Sequence, residues 1–154
     1  MNQTTFSIDV HVKGTMKINV KDGSEYFRGL LLLIRRDHRV TASEANMMRR
    51  VGKALGFERE FCETAIREIL ENKFVVDEPP RFSTRDLAIK FLSDALTLAG
   101  IYDESDGSDE SWLKSFAENN GLNLERFLRE KSEAARKRKD VYAPLEVEGL
   151  TVEY

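Results

Sequence analysis

The sequence is short of several things, and each shortage closes off a class of protein. Cysteine occurs once, at Cys62, so no intrachain disulfide can form. The simplest reading is a cytoplasmic protein with a buried, apolar thiol. Histidine occurs twice, at His11 and His38, too sparsely to build a hydrolase triad in any recognisable spacing. No HExxH, ExxH or CxxC occurs, nor a GxxxxGK[ST] phosphate loop, so zinc-protease, di-iron, thiol-redox and P-loop readings have no support. The longest apolar run, Leu30 to Ile34, has five residues, whereas a spanning helix needs about 20. The first ten residues, MNQTTFSIDV, lack a basic start followed by an apolar run, so no secretory leader is expected. Only three prolines occur, two of them adjacent at Pro79 and Pro80, which leaves room for long helices on either side.

What remains is an amphipathic composition. Of the 154 residues 41% are hydrophobic and 33% charged, with a net charge of −3. One domain with a real core is expected. The acidic balance argues against general affinity for nucleic acid. The basic tetrad Arg136 to Lys139 has no interleaved aromatics, and it suits the carboxyl end of a helix.

Periodicity divides the chain in three: 1–22, 23–140 and 141–154. In the first segment Phe6, Ile8, Val10 and Val12 alternate with polar residues, as do Met16, Ile18 and Val20 after Gly14. That pattern predicts a β-hairpin. DGSE, Asp22 to Glu25, is read as its end, with Ser24 capping the next helix. In the last segment Leu145, Val147, Leu150 and Val152 can pair with the hairpin.

The middle segment changes to helical period, and six helices are predicted. Their inward residues are read as follows: Phe27, Leu30, Leu31 and Ile34; Met47, Met48, Val51 and Leu55; Phe61, Ala65, Ile66, Ile69 and Leu70; Leu87, Phe91, Ala95 and Leu98; Trp112, Leu113 and Phe116; Leu124, Phe127 and Leu128. The pair Met47–Met48 reads as core filling. TASE, Thr41 to Glu44, is a capping box. STRD, Ser83 to Asp86, is a second capping signal, and Gly56 and Gly121 are stops.

Helices one to three and four to six look like two copies of one unit. Asp37 matches Asp103, Glu44 matches Glu110 and Phe61 matches Phe127, each at a shift of 66, while Gly56 matches Gly121 at 65. In each half an apolar helix stops at an Asp and the next helix starts at a Glu seven residues later. If the halves pack face to face, Asp37, Glu44, Asp103 and Glu110 converge, and hard divalent cations favour several such oxygens. Asp109 and His38 are weaker additions. Each acid also has a plainer account: Glu44 in the capping box, Asp109 and Glu110 at a helix amino end, Asp37 as a turn residue. An EF-hand is excluded, because Gly107 at its sixth position would put Tyr102 and Leu113 at ligand positions.

At these junctions, RDHRVTASE and YDESDGSDE, the chain resembles the TerB-like tellurite-resistance family, from about Tyr26 to Leu128. The family's pattern is Asp-Gly, a few residues, then Glu, between two helices. Here His38 and Glu104 stand where that Gly would be, and a Gly follows in the second copy at 107. The resemblance implies a mainly all-α bundle in two related halves and a non-enzymatic module of a bacterial tellurite or metal stress response. It implies a divalent metal ion of unnamed identity at Asp37, Glu44, Asp103 and Glu110, and connection to a protein partner. A metal-free protein–protein interaction scaffold is the alternative, with the β edge or a groove as its docking surface.

Overall fold

A computed structural model describes residues 16–36, 38–72, 75–99, 108–137 and 143–154. The described residues are mainly helical, with one small sheet. In chain order it runs β1 (Met16–Asn19), α1 (Val20–Arg36), α2 (Ala42–Ala54), α3 (Arg59–Glu68), α4 (Arg85–Ala99), α5 (Ser108–Asn119), α6 (Leu124–Lys137), a 3-10 turn (Glu146–Gly149) and β2 (Leu150–Glu153). Six helices and a β element that the tail joins are as expected. No helix among the described residues is long and apolar enough to cross a membrane.

The sheet differs from a simple hairpin. β1 pairs in parallel with β2, Met16 opposite Leu150 and Asn19 opposite Glu153. The other expected arm, Phe6 to Val12, lies outside the described residues. Ile18 and Leu150 turn inward, while Val152 lies over α1 at Gly23, where an added Cβ would come within 3.1 Å of it. The strand also ends sooner than alternation suggested. Val20 belongs to α1, whose start is capped by Asn19: its Oδ1 accepts the Asp22 amide at 2.7 Å. Ser24 therefore lies inside the helix and caps nothing. Asp22 is buried and accepts hydrogen bonds from the Ser83 amide and hydroxyl. Ser83 is thereby diverted from capping, and Thr84 caps α4 by accepting the Leu87 amide at 3.2 Å.

α1 and α4 form the centre. Leu30 to Ile34 are all buried, and five consecutive positions sweep right round a helix, so α1 is largely enclosed there. Gly29 lets the two helices approach, since a Cβ there would sit 2.7 Å from the Phe91 ring and from Pro80. Phe91 then stacks with Tyr26, Phe82 and Phe116 at centroid distances of 5.2, 5.3 and 4.7 Å.

The repeat is visible in the helix stops. The amide of Phe57 bonds to Gly52 O and that of Gly56 to Lys53 O; Leu122 and Gly121 make the same pair of bonds to Ala117 and Glu118. Both glycines are left-handed, with φ of 80° and 77°. These are two copies of one Schellman turn. The halves diverge in their third helices. α6 packs along α4 and buries Phe127 to 1% exposure, whereas the matching Phe61 of α3 is 56% exposed. Leu70, Leu124 and Leu128 were also expected inside and are exposed.

α3 is held to α2 at one close crossing. A Cβ on Gly52 would meet Cys62 Sγ at 2.2 Å and its Cβ at 3.4 Å. Gly52→Ala is therefore expected to destabilise by about 2 kcal/mol. Adding Cys62→Ala should recover more than half of that, because the remaining contact is an ordinary one. Urea denaturation of the two single variants and the double variant measures the coupling; additive losses would show that the crossing is not the cause.

Candidate functional site

The four acids singled out from sequence do not fare equally. Asp37 and Asp103 lie outside the described residues. Glu44 completes the capping box: its Oε1 accepts the Thr41 amide at 2.9 Å, and Thr41 Oγ1 accepts the Glu44 amide at 3.1 Å. Glu110 faces two lysines, Lys131 at 3.0 Å and Lys114 at 3.4 Å. The hydrogen bond from Lys131 holds its carboxyl below the usual range. Asp109 is buried, with Arg36 Nε 3.5 Å from its carboxylate. His38 is exposed in the turn after α1 with φ of 63°, the left-handed backbone that a glycine adopts freely. Among the described residues no three His, Cys, Asp or Glu side chains are grouped to hold a metal ion.

The basic end of α6 is partly tied down. Lys137 Nζ reaches Glu146 at 2.8 Å and Arg136 pairs with Glu133. Arg138 and Lys139 lie outside the described residues. Cys62 is buried as expected, and burial pushes its thiol pKa up. That makes it a poor nucleophile.

One buried carboxylate was not expected. Asp94, on α4, accepts the Tyr26 hydroxyl at 2.7 Å and the amides of Glu146 and Val147 at 2.8 and 2.9 Å. It joins α4, α1 and the 3-10 turn at one point. Burial is the largest influence on it and pushes its pKa up to about 6, against the three donors that favour the ionised form. With all its partners supplied from within the fold, Asp94 is a structural hub.

The feature best shaped to receive something is an apolar groove of about 840 Å³ between α1 and α3. Phe27 and Leu31 form one wall; Phe61, Ala65 and Ile69 form the other. Phe57 lines it too, as do Val75 and Val76 of the connector. Phe27, Phe57 and Phe61 make a ring triad with centroids 5.4 to 6.0 Å apart. At the mouth the Tyr154 hydroxyl donates to Leu55 O at 3.0 Å. Its described lining contains no His and no Cys. α3, of 10 residues, is shorter than α6, of 14, and leaves Phe61 at 56% exposure where Phe127 is at 1%. Sequence periodicity identified Phe61 as apolar-face but could not show that nothing within the described fold covers it. No family model, curated protein or solved structure matches this chain.

Proposed function

We propose that the chain is a non-enzymatic protein-interaction module whose α1–α3 groove receives an apolar segment of a partner. The observation that carries this reading is the contrast between Phe61, at 56% exposure, and its counterpart Phe127, at 1%. A continuous apolar trough open to water is unfavourable unless something covers it for part of the protein's life. The largely apolar character of the described lining favours docking.

A photo-crosslinking residue placed at position 61 tests it in cells that make the protein. Discrete crosslinked species are expected from position 61 and not from position 125 on α6, and Phe57→Asp should abolish them. Equal labelling from both faces would overturn the reading.

The metal-binding role of Asp37, Glu44, Asp103 and Glu110, and with it a place in tellurite or metal stress, is a separate proposal that rests on the resemblance. It is read by titrating divalent cations during thermal melts. A cation at 100 times its dissociation constant would stabilise by about 2.7 kcal/mol. From its bonds in the capping box, Glu44→Ala is expected to lose about 1 kcal/mol equally with and without cation. A loss that grows when cation is present would instead assign Glu44 to a metal.

A further inference from the structure

Among the described residues three charged side chains line the groove, and one of them, Arg28, is ion-paired. Arg28 forks onto the Glu25 carboxylate at 3.0 and 2.6 Å and donates to the carbonyls of Val76 and Glu78. Its charge is neutralised within the wall. Glu58 and Glu68 are exposed, and neither carboxylate has an ion pair or hydrogen bond among the described residues. Glu63, on the same helix but turned away from the groove, is by contrast paired with Arg49 at 2.6 Å.

Glu58 caps the amino end of α3 and Glu68 is its last residue. At 1.5 Å per residue they stand roughly 15 Å apart along the axis. Between them on the groove side lie Phe61 and Ala65. The site is thus an apolar trough with an unpaired negative charge at each end. A fatty acid would bring its carboxylate against one of these acids. An apolar helix face with a lysine or arginine at either end matches both the trough and the charges.

Resting on the docking reading above, we propose that the occupant is an amphipathic helix of a partner protein whose apolar stripe is flanked by cationic residues. The probes are two labelled synthetic helices of about 14 residues, roughly 20 Å long. They share leucines at i, i+3, i+4 and i+7 and differ only in carrying Lys or Glu at the two flanks. Fluorescence anisotropy with the full chain should show the Lys peptide binding about tenfold tighter at low salt, the sum of two attractions gained and two repulsions avoided. The gap should narrow as salt rises. Glu58→Lys with Glu68→Lys should reverse the order. Phe61→Asp should weaken both peptides, and Val76→Asp, at a second exposed lining residue, should do the same should the first variant fail to fold.

Equal affinities for the two peptides, both lost in Phe61→Asp, would overturn the cationic preference and leave the groove as a docking site. Failure of both peptides to bind at millimolar concentration, or binding unmoved by both Asp variants, would overturn the preference and the docking reading together. Oleate binding more tightly than both peptides, and lost in Phe61→Asp, would assign the trough to an acyl chain instead.

Discussion

Asp94→Ala is expected to lower the unfolding free energy by about 3 kcal/mol at neutral pH. The substitution leaves the Tyr26 hydroxyl and two backbone amides without their acceptor, at about 1–3 kcal/mol each. Relief of a buried charge offsets part of that loss. The same site gives a pH signature. The folded pKa, pushed up to about 6 from 3.8, means that folding favours the protonated acid. This contribution is therefore fully present below the unfolded pKa and is lost as pH rises through about 6. Relative to Asp94→Asn, the wild type should gain about 3 kcal/mol between pH 7.5 and pH 3.5, from roughly two pKa units at 1.36 kcal/mol each. Urea denaturation of both proteins at the two pH values measures it. The comparison cancels the carboxylates away from Asp94 whose pKa values are lowered, Glu63, Glu110 and Glu148, which act in the opposite sense. A difference that is flat with pH would show that the three donors outweigh burial.

Phe91→Ala should be at least as damaging, at about 4 kcal/mol. The ring is fully buried among Tyr26, Phe82 and Phe116, and it also forms the surface against which Gly29 sits. Its removal leaves a cavity that two rigid central helices cannot close. Phe61→Ala is the matched control: the same atoms are deleted from a ring already half in water, and the expected loss is under about 1 kcal/mol. Thermal or chemical melts of the two variants decide it. A large loss at Phe61 would mean that the ring triad supports the fold, and would count against the groove as a surface kept free for a partner.

These two phenylalanines also show how far the sequence could be read. Helical period put both on an inward face, and correctly so in the sense that each lies on its helix's apolar side. Period says which side is apolar, not whether another element reaches it. Phe127 is seated against α4 and Phe61 opens onto the groove because their helices differ in length and placement, a tertiary difference that the repeat conceals. Leu124 and Leu128 failed for the same reason.

Local signals were read well where the chemistry is local. The Thr41–Glu44 capping box and the two glycine stops each depend on residues within a turn of one another. DGSE misled because Asp22 and Gly23 serve distant partners, Ser83 and Val152. Asp94 was invisible as a hub for that reason too: its donors come from α1 and from beyond α6, and in the sequence it is one more polar residue on a helix. Of the acidic junctions, the two described members are engaged by a cap and by lysines, interactions the sequence had already offered as the plainer account for Glu44.

The parallel pairing of Met16–Asn19 with Leu150–Glu153 has a consequence for biosynthesis. A ribosome makes β1 before the six helices and β2 after them. While the intervening helices emerge, β1 lacks its described partner β2, and the five consecutive apolar residues of α1 wait for α4 to be translated. The nascent chain therefore covers α1 only once α4 is out of the tunnel, and completes the described sheet only once Leu150–Glu153 is out. Until then its most apolar helix is within reach of any chaperone at the exit tunnel.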